Sequence, residues 1–241
     1  MKFKETSTSY FLNKSTYLNL RWIAYIGQFI AIIIVEFFLN FNFNYLACLV
    51  IIFISGLSNI YLKFQIKGNQ LKNNLASIYL AYDIVQIASL FYLTGGITNP
   101  FIFLIIIPAV FSSQYLTVLS SIILVSITCI ILVFLSFFHL ELPNPGYIHF
   151  HAPEYYLFSI PVAILIGLLF LVYFGAKFGS ENRIRNKAFD KMQQIMAKEN
   201  ELVSLGAQAA AAAHSLGTPL STILLTSKEL QKDFSSNTKI K

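Results

Sequence analysis

The sequence predicts an all-α membrane protein, in which a six-helix transmembrane bundle is followed by a long cytoplasmic helix. Hydrophobic residues make up 56% of the 241 residues and charged residues only 12%, which lies far outside the usual composition of soluble domains. Nearly all of the apolar runs lie within residues 20–176. From Lys177 onward the chain becomes rich in charged, helix-forming residues, and its apolar side chains recur seven positions apart, a spacing typical of packed helices.

Six apolar segments have roughly the 17 to 25 residues that a bilayer crossing needs. They cover residues 22–39, 45–62, 77–94, 100–116, 118–140 and 157–176. The connector SSQYL between the fourth and fifth segments is so short that these two form either two crossings or a re-entrant hairpin. The first apolar run begins only after about twenty residues and has no small-residue cleavage site, so a cleavable signal peptide is not predicted.

Lysine and arginine predict the orientation of these spans, because cytoplasmic loops carry an excess of both residues. The loops 40–44, 95–99 and 141–156 contain neither. The 17 basic residues lie elsewhere: Lys2, Lys4, Lys14 and Arg21 before or at the start of the first span, Lys63, Lys67 and Lys72 between the second and third, and ten from Lys177 onward. Both termini of this multi-pass protein are therefore predicted to be cytoplasmic. Since topology accounts for the charge of +6, nucleic-acid binding is not predicted.

The cysteines and histidines predict neither a disulfide framework nor a metal site. Cys48 and Cys129 both lie within apolar segments and have no histidine at metal-ligand spacing. Three histidines and two acids cluster in or near the loop 141–156: His139, His149, His151, Glu141 and Glu154. The HFH spacing is compatible with a metal on a strand, but a solvated loop with scattered histidines is the commoner explanation.

Residues Ala209–Leu220, AAAAAHSLGTPL, place a histidine on a helix that packs against others. An apolar seam with a spacing of seven runs through this stretch: Ile195, Leu202, Ala209, Leu216 and Ile223. His214 lies off the seam, so its imidazole is predicted to face water, where a ring nitrogen can act as a nucleophile. Pro219 removes a helical hydrogen bond and predicts a bend after the histidine.

Residues Gly95–Phe101, GGITNPF, join the third and fourth spans. The stretch combines an amide at Asn99, an aromatic ring at Phe101 and two glycines that leave room beside the backbone, which are groups that a binding loop can offer. A structural role is also open, because Asn99 is a favourable N-cap and Pro100 a favoured first helical residue, so that the pair starts the fourth span.

These two motifs carry a family resemblance. The run AAAAAHSLGTPLSTI resembles the H-box of sensor histidine kinases, and GGITNPF matches the GGxxNPF heptapeptide of the RegB/PrrB (ActS) redox-sensor family. The resemblance implies that His214 is the phosphoacceptor, that Thr218 on the same helical face supports phosphatase activity, and that phosphate passes to a cytoplasmic response regulator. It also implies a homodimer in a bacterial inner membrane, and ubiquinone or a related quinone held by Gly95, Gly96, Asn99, Pro100 and Phe101. A quinone head group needs a hydrogen-bond donor, an apolar wall and room beside the backbone, which Asn99, Phe101 and the two glycines can supply.

Two acids lie inside predicted spans, Glu36 and Asp83. A carboxylate at mid-bilayer costs on the order of a few kcal/mol, so such residues usually face the bundle interior, a partner or a cavity. Glu36 lies near the end of its span and can reach the interface. Asp83 lies about three turns before Gly95 and is a candidate for quinone or proton chemistry.

The chain departs from the family in three respects. The 27 residues after His214 hold no nucleotide-binding boxes, so ATP is expected only from another chain or a missing domain, and it is open whether this chain is an enzyme. Ser215 stands where the kinases commonly carry an acid, and a hydroxyl is a much poorer base. The family's redox-active cysteine lies beyond the H-box, and no cysteine follows Cys129 in this sequence. The quinone motif is therefore left as the candidate redox input.

The predicted organisation is an N-terminal cytoplasmic segment (1–21), a six-span sensor domain (22–176), a signalling helix (177–205) and a partial dimerisation and phosphoacceptor region (206–241). The predicted function is a membrane sensor of the quinone pool in a two-component system. One alternative is a truncated or split kinase that acts as a non-catalytic dimerisation partner. Another is a small-molecule carrier, for which we expect polar residues threaded through several spans and inverted repeats, and we identify neither pattern in the sequence.

Overall fold

The computed structural model describes residues 11–66, 68–145 and 153–237, and most of them are helical. Five of the described helices are long and apolar enough to cross a membrane, so the prediction of an all-α membrane protein is confirmed. The chain divides into two compact units, unit 1 (Met1–Arg183) and unit 2 (Ile184–Lys241). Some residues of the sequence-based predictions lie outside the described ranges: Lys2, Lys4, Lys67, His149 and His151.

Within the described ranges, six α-helices and two short strands follow one another. The helices are α1 (Lys14–Ile33), which a π-helical turn extends over Ile34–Phe38, α2 (Tyr45–Gln65), α3 (Asn73–Leu93), α4 (Ile107–Tyr115), α5 (Val118–Phe137) and α6 (Glu154–Asn237). Two 3-10 segments, Gly96–Thr98 and Ile102–Ile106, lie between α3 and α4. Strands β1 (Phe11–Asn13) and β2 (Gln70–Lys72) pair antiparallel, with Leu12 opposite Leu71.

Polar side chains before the helices explain where several of them begin. Asn13 Oδ1 accepts hydrogen bonds from the backbone N–H groups of Ser15 at 3.0 Å and Thr16 at 3.3 Å, which satisfies donors that a helix start leaves unpaired. Thr117 caps α5 in the same way. Because Asn13 caps α1, this helix begins well before the predicted span at residue 22, and Arg21 lies inside it rather than at its start.

The fourth predicted span, 100–116, is shorter in the structure than in the prediction. Its helical part is Ile102–Tyr115, with 3-10 geometry in the first five residues and Pro108 in the first turn of the α-helix. At about 2.0 Å per 3-10 residue and 1.5 Å per α residue, the segment rises roughly 24 Å, less than the ~30 Å of a hydrocarbon core. Most of SSQYL, predicted as a connector, forms the end of α4, and only Leu116 and Thr117 lead into α5.

Three clusters of buried hydrophobic side chains hold unit 1 together. The first joins the two strands to α2, α3 and α5, and includes Leu12, Leu62, Leu71, Leu80 and Leu124. The second surrounds the segment between α3 and α4, and includes Phe91, Ile97, Ile102, Ile105, Leu132 and Leu135. The third joins α1, α2 and α3 through Tyr25, Ile32, Cys48, Ile52 and Leu90. The outer faces of the same helices carry exposed apolar side chains, as expected of surfaces that contact lipid.

The described part of unit 2 is helical and belongs to α6. Its side chains are exposed as far as Asp233, and those of the predicted seam are among them: Ile195, Leu202, Ala209, Leu216 and Ile223. An apolar stripe that one chain leaves exposed is typical of a helix that packs against a partner. Pro219, where the sequence predicts a bend, lies within α6 and does not end it.

Candidate functional site

The loop Gly95–Phe101 begins with two glycines in the left-handed region, Gly95 at φ 105° and Gly96 at φ 53°. A Cβ at Gly95 would lie 2.6 Å from Leu142 Cδ1, and one at Gly96 would lie 2.5 Å from His139 Cγ. The glycines therefore let the chain after α5 cover the loop. The room predicted beside them for a ligand ring is taken by Leu142 and His139, so the structure gives these glycines a different role from the predicted one.

Asn99 ties the loop to the end of α3. Its Nδ2 donates to the carbonyl oxygen of Thr94 at 2.8 Å and to Thr94 Oγ1 at 2.9 Å, while its Oδ1 accepts from the backbone N–H of Phe101 at 2.9 Å. Both amide hydrogens that were predicted to meet a ligand are thus engaged inside the loop. The capping role also differs from the prediction, because the bond to Phe101 closes a local turn and Pro100 precedes the 3-10 segment instead of starting a helix.

The loop offers an apolar surface to a ligand. The side chain of Phe101 is 55% exposed, and that of Phe103 is 53% exposed. Pro100 is exposed as well, whereas Ile97 is fully buried on the inner side of the loop. A flat apolar ligand could therefore contact the edge formed by Pro100 and Phe101 without displacing the buried side of the loop.

Asp83 lies inside the bundle, where it is paired with a cation. Its Oδ1 accepts from Arg21 Nε at 3.0 Å and from Arg21 Nη2 at 2.9 Å. The hydroxyl of Tyr17 donates to the other carboxylate oxygen, and that of Tyr25 donates to Oδ1 at 3.3 Å. Tyr17, Arg21 and Tyr25 are four residues apart on α1 and share one face of the helix, so α1 presents a complete set of donors to this carboxylate on α3.

The guanidinium of Arg21 is enclosed as well, since Arg21 is only 3% exposed. Its Nη2 also donates to Ser58 Oγ at 2.9 Å, and its Nη1 donates to Asn59 Oδ1 at 3.4 Å. Four tyrosine rings have centroids 5.4 to 5.7 Å from its central carbon, at Tyr17, Tyr25, Tyr79 and Tyr82, and aromatic faces attract cations.

We define the polar cluster as Tyr17, Arg21, Tyr25, Ser58, Asn59 and Asp83. Among the described residues, no buried side-chain N or O atom lacks a hydrogen-bond partner, so the polar cluster is internally satisfied.

The polar cluster corrects two predictions. Arg21 lies inside α1 and pairs with Asp83, so it is not a charge that flanks the first span. Asp83 precedes the end of α3 at Leu93 by ten residues, or about 15 Å of helix, and the structure does not bring it to the loop Gly95–Phe101. A signal for the cluster was present in the sequence, because an arginine flanked by tyrosines at a spacing of four can serve an acid on a neighbouring span.

His214 lies on the exposed part of α6 with the two hydroxyl residues predicted beside it. Thr218 Oγ1 donates to the backbone carbonyl of His214 at 3.4 Å, and Ser215 Oγ donates to that of Ala212 at 3.0 Å. Both hydroxyls therefore bond to the backbone of their own helix, while the imidazole is exposed. His214 and Thr218 share one helical face, as their spacing predicts.

The described residues contain no group of three or more His, Cys, Asp or Glu side chains that could hold a metal ion. Of the residues considered for a metal in the loop 141–156, His139 has its Nδ1 2.9 Å from the backbone oxygen of Leu140. This geometry favours a backbone hydrogen bond for that imidazole.

Five membrane-length helices, a shorter apolar helix and an exposed histidine on the last helix define a multi-pass α-helical membrane protein with a helical extension. Residues 25–187 match the family described as the PilS-like transmembrane domain. The match covers more than half of the chain, and the chain belongs to this family.

The chain is also 34% identical over 221 residues to Sensor histidine kinase RegB of Cereibacter sphaeroides. A second RegB sequence, from a particular strain of that species, shows the same identity over the same number of residues. Each alignment covers 91% of this chain and 48% of the relative, so the chain spans about half the length of the curated relatives it matches. The resemblance to RegB-type sensor kinases is therefore confirmed. No solved structure matches the chain.

Proposed function

We propose that this chain forms the sensing and phosphoacceptor part of a two-component membrane sensor kinase that responds to the quinone pool. One observation carries the proposal: the 34% identity to RegB extends over 91% of the chain and so takes in both the GGITNPF loop and His214. A single alignment thereby links the loop and the histidine to a relative named as a sensor histidine kinase.

His214 supplies the nucleophile. An imidazole nitrogen attacks the γ-phosphate of ATP, so that a nitrogen–phosphorus bond forms, ADP leaves, and the ring proton passes to a base or to water. The phosphoryl group then passes to a response regulator. The exposed apolar seam supports packing of α6 against a second copy of the chain, which would supply the homodimer that the resemblance implies.

Ser215 restricts what this helix can do by itself. Its hydroxyl donates to the carbonyl of Ala212 at 3.0 Å and is a poor base at neutral pH. We therefore assign ATP, and the groups that activate the imidazole, to another domain or chain. Thr218 carries a hydroxyl one turn after His214, in position to support hydrolysis of the phosphorylated regulator. This role requires the C-terminal part of α6 on the cytoplasmic side of an inner membrane, as the pattern of lysine and arginine predicts.

A quinone is proposed to bind at the edge of the loop formed by Pro100 and Phe101. The exposed ring of Phe101 offers an apolar face for stacking. Asn99 can donate to a quinone carbonyl by exchanging one of its bonds to Thr94 for a bond to the ligand, so binding would loosen the tie between the loop and the end of α3. The ligand, when bound, supplies the redox chemistry. Its two forms differ in hydrogen bonding, because a quinone carbonyl only accepts a hydrogen bond whereas the hydroxyl of the reduced form also donates one.

The phosphoacceptor role is tested by mixing the chain with a separate ATP-binding domain of a histidine kinase and labelled ATP. Wild type is expected to take up label, and His214→Gln is expected to take up none. Ser215→Ala is the matched control, because its hydroxyl bonds to the helix backbone and its loss should leave labelling intact. Equal labelling of wild type and His214→Gln, or none in either, contradicts the proposal.

The quinone site is tested by titrating the chain in lipid nanodiscs with a short-chain ubiquinone. Asn99→Ala and Phe101→Ala are expected to weaken binding about fivefold each, since a lost hydrogen bond or aromatic contact is worth roughly 1 kcal/mol. Phe103→Ala is the matched control, because Phe103 is as exposed as Phe101 but lies outside the motif. An affinity that all three variants share with wild type would leave GGITNPF with a structural role alone.

A further inference from the structure

One face of α6 contacts the C-terminal end of α4 through Gly175, Gly179 and Arg183, which are four residues apart. A Cβ at Gly179 would lie 2.5 Å from the carbonyl oxygen of Gln114 and 2.9 Å from its Cα, and a Cβ at Gly175 would meet Ser113 Oγ. Arg183 Nη1 donates to the same carbonyl oxygen of Gln114 at 2.9 Å. We define these five residues as the α4–α6 contact, and all of them lie in unit 1.

Two independent features make this contact specific. Glycines spaced by four let helix backbones approach closely in membranes, and the glycines elsewhere on α6 do not serve this purpose, because a Cβ at Gly167 or Gly206 would meet nothing within 4 Å. Arg183 adds a polar tie, since Gln114 presents one of the carbonyls that the end of a helix leaves unpaired. Its positive charge also lies at the negative end of the α4 dipole.

The other end of α4 leads directly back to the loop Gly95–Phe101. The 3-10 segment Ile102–Ile106 runs into α4 without interruption, and Ile97, Ile102 and Ile105 are buried in one cluster. Closely packed elements shift as units rather than deforming continuously. A displacement at the loop would therefore reach Gln114 through roughly 24 Å of helical segment.

We propose that α4 is the element that couples the loop to α6. The loop sets the position of α4 at its start. At its end, a shift of α4 moves the helix that carries His214 through the α4–α6 contact. Release of Asn99 from Thr94 frees the start of α4, and Gln114 then shifts against Gly179 and Arg183. This inference depends on the proposed function in one respect, namely that the signal enters at the loop.

Hydrogen–deuterium exchange of the full chain in lipid nanodiscs tests this coupling without quinone or ATP. Gly179→Ala and Arg183→Gln perturb the contact at α6, and Asn99→Ala perturbs the loop. The matched controls are Gly167→Ala, which adds a methyl group to the same helix where space is open, and Arg183→Lys, which keeps a positively charged donor.

Gly179→Ala and Arg183→Gln are expected to raise exchange at residues 113–116 and also in the loop 95–101, by at least about fivefold, which is the low end of ordinary intramolecular coupling. Coupling is reciprocal, so Asn99→Ala should raise exchange at residues 175–183 by a similar factor. Gly167→Ala is expected to change neither region, and Arg183→Lys to retain most of the protection.

Changes that stay within the mutated segment in both directions would overturn the coupling, as would equal effects of Gly179→Ala and Gly167→Ala. Arg183→Gln removes the positive charge and shortens the side chain without adding bulk, so it carries the test if Gly179→Ala does not fold. A failure of His214 labelling or of quinone binding leaves this result standing, and loss of the exchange coupling leaves those two activities untouched. The two proposals can therefore fail separately.

Discussion

Asp83→Asn is the sharpest test of the role of the polar cluster in holding α1, α2 and α3 together. The substitution keeps the shape of the side chain and one acceptor oxygen, but it removes the charge that Arg21 faces at 2.9 and 3.0 Å. Arg21 would stay 3% exposed with no counter-charge. The amide would also offer a weaker acceptor to the hydroxyls of Tyr17 and Tyr25.

Removal of one partner from a buried ion pair costs about 3–5 kcal/mol, because the remaining charge is left uncompensated. Asparagine retains one acceptor, so we expect the lower end, about 3 kcal/mol, for Asp83→Asn. Arg21→Met combined with Asp83→Leu leaves no buried charge and should cost less than Asp83→Asn alone. Tyr25→Phe keeps the ring over Arg21 and loses only the bond at 3.3 Å, for about 1 kcal/mol.

The free energies of unfolding would be measured in detergent micelles by denaturant titration, with helicity followed by circular dichroism. Glu36→Gln is the control, since Glu36 is a half-buried acid in the π-helical turn outside the polar cluster, and we expect a change within about 0.5 kcal/mol. Two results would contradict this prediction: an Asp83→Asn variant as stable as Glu36→Gln, or an Arg21→Met/Asp83→Leu double variant less stable than Asp83→Asn.

Two further predictions use the same unfolding assay. Gly95→Ala should destabilise by about 2–3 kcal/mol, because φ is 105° and the added Cβ would lie 2.6 Å from Leu142 Cδ1; Gly56→Ala, where space is open, should change little, and equal costs would contradict the role given to the left-handed turn. Asn73→Ala should destabilise by about 1–3 kcal/mol, because two hydrogen bonds to the start of α5 are lost. Asn73 Oδ1 accepts from the backbone N–H of Thr117 at 2.9 Å, and its Nδ2 donates to Ser120 Oγ at 2.8 Å. Asn74→Ala is the control, because Asn74 is the exposed neighbour of Asn73. A similar loss of stability for Asn74→Ala would argue against the importance of the contact between Asn73 and α5.

The helices of the membrane domain could be predicted because their signal is local. A run of apolar residues long enough to cross a bilayer must satisfy its own backbone, and a helix does so within the segment. The ends of these helices were less accessible, since α1 begins at the cap provided by Asn13 and not where polarity changes. The fourth span was overestimated for a related reason, because apolar composition does not distinguish the 3-10 start of this segment from an α-helix.

The position of the loop in the chain could be predicted, whereas the contacts of its residues could not. GGITNPF was expected to join the third and fourth spans and to leave room for a ring beside its glycines, but Leu142 and His139 lie against those glycines, and Asn99 bonds to Thr94. These partners lie at sequence separations that no pattern within the motif specifies. Arg21 shows the same limitation, because a basic residue near the start of a span carries the same local signal whether it faces water or an acid on another helix.

Sequence alone was enough to predict the membrane class, the helical segments, the loop at Gly95–Phe101 and the exposed face that carries His214. Each of these follows from properties that repeat along a single helix or turn, so neighbouring residues suffice to specify them. Three contacts could be found only in the folded chain: Arg21 pairs with Asp83, Leu142 and His139 cover the two glycines, and Arg183 bonds to Gln114. Such contacts depend on which helix faces meet in space, because a buried charge or an unpaired carbonyl is satisfied by whichever partner the packing brings within reach.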